Sequence, residues 1–173
     1  MPFPVDGGLY KHRQMLAANN SCFLQDKDRA IKNWISHSWS YTKDKVLGNK
    51  RHYHNLLEDM AEMVWEAQDG KPLFQFESSS GLPMSWNRPQ NGEEDYIRYE
   101  IGHINPKLSG GNSHPNNLTF QSARCNQHIQ SSLGLDEVTL YFASIPEVTD
   151  RINRVFQLHS SIAWKQKLSK LLG

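Results

Sequence analysis

Apolar residues recur at helical spacing in two stretches of the first half of the chain. Ala30, Ile31, Trp34 and Ile35 lie three and four apart behind Asp26 or Asp28, either of which can cap a helix. Leu57, Met60, Ala61, Val64 and Trp65 form one stripe, with Glu58, Asp59, Glu62 and Glu66 opposite. That pattern predicts an amphipathic helix from His54 to Gln68, stopped by Gly70 and Pro72, with its Met and Trp positions in the core. Upstream, Leu9 to Ala18 predict a short helix ending near Asn19 and Asn20. Phe74-Gln75-Phe76-Glu77 alternates as a short strand, and residues 82–95 read as loop and turn.

In the second half the period changes. Tyr96 to Gly102 alternates, with Ile97, Tyr99 and Ile101 on one face and Arg98, Glu100 and Gly102 on the other; the strand ends at His103. A loop pinned by Pro106, Gly110-Gly111 and Pro115 allows Leu118-Thr119-Phe120 to pair back as a second strand. Ser122 then caps a helix that carries Asn126 in its second turn and ends at Gly134. Asp136 to Ser144 predicts a short helix. Pro146 opens a long one with Val148, Ile152, Val155, Phe156, Ile162, Leu168 and Leu171 as apolar positions. Arg151, Arg154, Lys165, Lys167 and Lys170 decorate it and read as a solvated face. The expected fold is α+β and mainly helical, one domain over residues 1–173. It divides into a helical N-terminal region (1–95), a strand–loop–strand–helix core (96–133) and C-terminal helices (134–173).

Composition narrows this reading. A chain of 173 residues buries roughly two-thirds of its unfolded surface, so it needs no covalent staple. Apolar runs fall far short of the ~20 residues that cross a bilayer, so no membrane partner is expected. The start, Met1-Pro2-Phe3-Pro4-Val5-Asp6, lacks a basic stretch and an apolar segment; the expectation is a soluble, cytoplasmic protein. Two cysteines, Cys22 and Cys125, build no disulfide framework, and eight histidines without tight paired spacing do not argue for structural zinc.

The net charge of +1 is weak for a nucleic-acid binder, so the distribution of charge matters more than the sum. His37, Trp39, Tyr41, Lys43, Lys45, Lys50, Arg51, His52, Tyr53 and His54 form a basic patch interleaved with aromatics, suited to neutralising phosphates and stacking on bases. The plainer alternative is a solvated loop between helices whose aromatics join the core.

The chemistry concentrates between Tyr99 and His128. Phosphodiester hydrolysis needs a base to deprotonate water, and neutral imidazole suits that near pH 7. It needs a hard cation against the phosphate, and a partner that fixes the imidazole's aim. His103 fits the base, Asn126 a ligand for Mg²⁺ or Mn²⁺, and Asn117 the brace.

His103-Ile104-Asn105-Pro106, the Gly110-Gly111 loop, Asn117-Leu118 and Cys125-Asn126 together resemble the HNH, or His-Me finger (ββα-metal), endonucleases. The resemblance covers residues 99–128 and implies a small ββα-metal core with flanking helices and metal-dependent cleavage of DNA. Carried over by residue, His103 is similar to the general base, Asn117 to the bracing Asn, and Asn126 to the metal ligand on the helix. It implies phage, restriction or homing contexts, in a bacterial or phage-infected cell; oligomeric state stays open, a homodimer included.

One position departs from the family. Most members place Asp before the base; here it is Gly102. The site then resembles either the single-Asn members, in which Gly also precedes the base, or a variant in which Glu100 supplies the missing ligand. A third reading is a catalytically degenerate HNH fold that binds DNA or a protein without cutting. Lys107 and Arg124 are expected to assist at phosphate, with Lys50 and Arg51 as further DNA contacts. His128 lies two residues past Asn126, about 200° around a helix, so it does not share a metal with it. It shares a face with Arg124 instead, where the pair could clamp a phosphate.

Overall fold

A computed structural model describes residues 27–74, 99–122, 134–141, 143 and 145–173. The described elements are helices α1 (Lys27–Thr42) and α2 (Lys50–Ala67), strands β1 (Tyr99–His103) and β2 (Leu118–Ser122), then helices α3 (Leu135–Tyr141), α4 (Pro146–Ser160) and α5 (Ile162–Leu172). The fold is α+β, mainly helical, with a small two-stranded antiparallel sheet. The expected elements at 9–18, 75–77, 96–98 and 123–133 lie outside the described residues.

Helices α1 and α2 bury the two apolar stripes against each other and against the hairpin. Ala30, Ile31, Trp34 and Ile35 meet Leu57, Met60, Ala61, Val64 and Trp65, and Tyr99, Ile101, Leu118 and Phe120 close the cluster from the sheet side. Trp164 of α5 joins them edge-on to Trp34, with ring centroids 6.4 Å apart. A second cluster holds Leu73, Phe74, Leu135, Ile145, Val148, Ile152 and Val155.

Three sequence expectations change. Helix α2 begins at Lys50, not His54, because the Asn49 side chain accepts from the His52 N–H and caps it. The long C-terminal helix is two helices. Ser161 breaks it with extended backbone (ψ 150°), its Oγ donating to the Leu158 carbonyl and accepting from the Trp164 N–H. Arg151 is not on a solvated face: it is 4 % exposed and donates to the Pro72 and Leu73 carbonyls, tying α4 to the chain that follows α2. Arg154 reaches the Ala67 carbonyl and Asp69.

The hairpin is fixed to α2 by one side chain. Gln68 lies at the C-terminal end of that helix and is fully buried. Its Oε1 accepts from the Phe120 N–H (2.9 Å) while its Nε2 donates to the Phe120 carbonyl (2.8 Å), so it occupies the edge of β2 as a third strand would. The Leu73 N–H adds a bond to the same carbonyl. Gln68→Ala leaves the Phe120 donor buried without that partner and is expected to cost about 2–4 kcal/mol in denaturant unfolding. A variant as stable as the wild type would show that the edge is held otherwise.

Candidate active site

His103 is the last residue of β1, opposite Leu118 in the ladder. The backbone just beyond it is pinned on both sides: the Ile104 N–H donates to the Asn117 carbonyl, and the Ile104 carbonyl accepts from the Leu135 N–H. Asn117 also spends its whole amide on this loop. Its Oδ1 accepts from the Asn105 N–H (2.7 Å), and its Nδ2 donates to the carbonyls of Asn105 (2.9 Å) and Asn112 (2.7 Å). One side chain thus ties the residues after His103 to the far side of the same loop.

The loop's composition follows from that closeness. A Cβ on Gly111 would overlap the Asn105 carbonyl oxygen, the same oxygen that Asn117 holds, so only glycine fits there. His114 caps the Pro115–Asn117 turn by accepting from the Asn116 N–H at Nδ1 (3.0 Å). Asn116 in turn accepts from the Trp164 indole (2.6 Å), which anchors the loop to α5.

Around the His103 ring, Ser113 Oγ lies 3.2 Å from Nε2, and Ser113 is buried. From α1, the His37 ring stands 6.1 Å away, centroid to centroid. Burial first, then the charges of Lys107 and His37, push the His103 pKa down to about 4. The imidazole is therefore neutral near pH 7, the state that can accept a proton.

The His159 ring of α4 lies against Trp164 (5.2 Å) with its Nε2 buried and no hydrogen-bond partner among the described residues. Burial first, then His114, lowers its pKa to about 4 as well. These shifts have one sign for stability. The unfolded chain protonates such rings near 6.5 and the folded chain only near 4, so folding loses stability as pH falls through that window and is insensitive to these groups above it. Thermal unfolding is expected to move to lower temperature between pH 7 and pH 5, with a smaller drop in His159→Gln. An identical drop in the variant would remove His159 from this account.

The remaining candidates divide as follows. Glu100 lies in β1 opposite Gln121, on the strand face of Gly102 and not that of His103. At Gly102 an added Cβ would overlap the Gln121 side-chain amide, so Gln121 fills the space a side chain at this position would enter. Lys107 is exposed in the turn after Pro106. Lys50 and Arg51 open α2; Arg51 is exposed, and Lys50 Nζ donates to Ser36 Oγ (3.2 Å). The stretch 37–54 is the second half of α1, a short turn and the start of α2, not one loop. Trp39 and Tyr53 pack against the core, whereas Lys45 Nζ sits 4.2 Å over the Tyr41 ring, which contacts His114 edge-on. Arg124, Cys125, Asn126 and His128 lie outside the described residues.

Among the described residues, no three His, Cys, Asp or Glu side chains form a metal-holding group, and no helix is long and apolar enough to cross a membrane. Ser113 and His37 were not legible as partners of His103 in the sequence; neither belongs to a motif, and the loop and α1 bring them there. Comparison with protein-family models, curated proteins and solved structures finds no match to this chain.

Proposed function

We propose that this chain is a divalent-metal-dependent DNA endonuclease of the HNH, or His-Me finger, type, with His103 as general base. The observation that carries the reading is the Asn117 clamp: a side-chain amide with three hydrogen bonds that holds the loop leaving a strand-terminal histidine. Ser113 can set the tautomer: if Nε2–H donates to Ser113 Oγ, the basic lone pair lies on Nδ1. The neutral ring takes a proton from water as the water oxygen attacks phosphorus, and burial keeps the ring neutral for that step.

Mg²⁺ suits a site with few protein oxygens, since it keeps several waters and is held through one or two side chains. Asn126 would hold it, with Glu100 reaching it through water from the strand face of Gly102, and when bound it supplies charge neutralisation at the scissile phosphate. Lys107 offers a further positive charge beside His103. Lys45, just past the end of α1 and stacked on Tyr41, offers another.

A second reading, a fold that binds DNA or a protein without cutting, draws on Gly102. Residue 102 is Gly, so the chain carries no acidic group at that position, and the Gln121 side chain crowds the place where a Cβ would start. Supercoiled plasmid incubated with the purified protein and Mg²⁺ or Mn²⁺ separates the two. Nicked or linear product that a chelator suppresses supports the nuclease; a retarded but intact supercoiled band supports the binding protein.

A further inference from the structure

We propose that His37 is the general acid of this site, giving a proton from Nε2 to the ribose oxygen that leaves the phosphodiester as His103 takes one from the attacking water. The inference rests on the nuclease reading of His103.

The geometry carries it. Helix α1 places Asn33, His37 and Tyr41 four residues apart on one face, and that face lines the loop after β1: His37 meets His103 and Tyr41 meets His114. The His37 ring is held in one orientation, because its Nδ1 lies 2.9 Å from the Asn33 carbonyl oxygen. A carbonyl only accepts, so Nδ1 carries a hydrogen in either protonation state and Nε2 is the nitrogen that exchanges. His37 is half-buried, so the ring is anchored but not sealed in the core. The two imidazole rings stand 6.1 Å apart, centroid to centroid, and each is oriented by a neighbour, so two groups able to move protons meet at the end of β1.

Electrostatics divides the labour. The charge of His37 is one of the causes that hold His103 neutral, after burial and Lys107. His103 is thus the ring kept without a second proton, which leaves the acid role to its neighbour His37.

The step balances. A water O–H bond breaks, with its proton passing to His103, and the new O–P bond forms. The bond from phosphorus to the leaving ribose oxygen breaks, its electron pair stays on that oxygen, and the proton arrives from His37 Nε2. The products are a phosphomonoester and a free hydroxyl. His103 then loses its proton to water and His37 regains one.

A leaving-group comparison tests the assignment. His37→Ala and His37→Gln are assayed with Mg²⁺ on plasmid DNA, whose alkoxide leaving group needs a proton, and on thymidine 5′-p-nitrophenyl phosphate, whose p-nitrophenolate departs without one. The account predicts a loss of about 10²- to 10⁴-fold on DNA in both variants, and activated-ester hydrolysis close to wild type. The retained ester activity itself reports a folded site. Equal losses on both substrates would make His37 a positioning residue and overturn the proposal, as would undiminished DNA cleavage. His103→Ala is expected to lose both activities. If the wild-type protein cleaves neither substrate, the nuclease reading fails, and this assignment with it; the two failures are therefore distinct.

Discussion

Replacing His103 with alanine is expected to reduce Mg²⁺-dependent plasmid cleavage by about 10²- to 10⁴-fold, the usual contribution of a positioned base. The fold should survive the change. His103 sits at the end of β1, and the backbone around it is held by Asn117 and Leu135, not by the imidazole. The imidazole's bond to the Ser113 hydroxyl is 3.2 Å long and ties the ring to a loop side chain, not to the backbone of the hairpin. Circular dichroism and thermal unfolding at pH 7 should therefore resemble those of the wild type. At pH 5 the variant should compare more favourably, since it lacks a ring that folding keeps neutral while the unfolded chain protonates it. Full cleavage by this variant would remove His103 from the mechanism.

Asn117→Ala is expected to damage stability and activity together. The wild-type amide makes three hydrogen bonds, to the Asn105 N–H and to the Asn105 and Asn112 carbonyls. Water replaces part of them in this half-buried loop, so the stability loss should be about 1–3 kcal/mol. The effect on cleavage should be larger, about 10²-fold, because a base displaced by about 1 Å loses its aim on the attacking water. Asn117→Asp distinguishes shape from chemistry. It keeps the acceptor for Asn105 but presents a carboxylate, with no donor, to two carbonyl oxygens. It should be no better than alanine. Denaturant unfolding and initial cleavage rates check both variants, and wild-type behaviour in either would show that the clamp does not position the base.

Much of the fold was legible where a periodic signal and a turn signal agree. The stripe from Leu57 to Trp65 and the alternation ending at His103 both produce the expected element, and the Gly–Pro-rich loop returns the chain as β2. The misses have local causes. The start of α2 is Asn49-Lys50-Arg51-His52, polar residues with no apolar period, and only the Asn49 cap marks it. The break between α4 and α5 has neither Gly nor Pro; a serine hydroxyl makes it. Arg151 resembles any other helix cation in sequence, and its burial depends on carbonyls more than seventy residues away.

The candidate site divides in the same way. Asn117 lies near His103 in sequence, and its role follows from the loop between them. His37 and Ser113 have no motif, and their place beside His103 depends on how α1 and the loop pack. Gly102 is the instructive position. From sequence it is a departure from the motif the stretch resembles; in the structure it is a space that the Gln121 side chain occupies, so placing an Asp there requires Gln121 to move.

The most direct measurement is the fate of supercoiled plasmid in one set of reactions: wild type with Mg²⁺, wild type with chelator, and His103→Ala with Mg²⁺. The account predicts nicked or linear DNA in the first alone. Intact plasmid in all three, or equal cleavage by the wild type and His103→Ala, would contradict it.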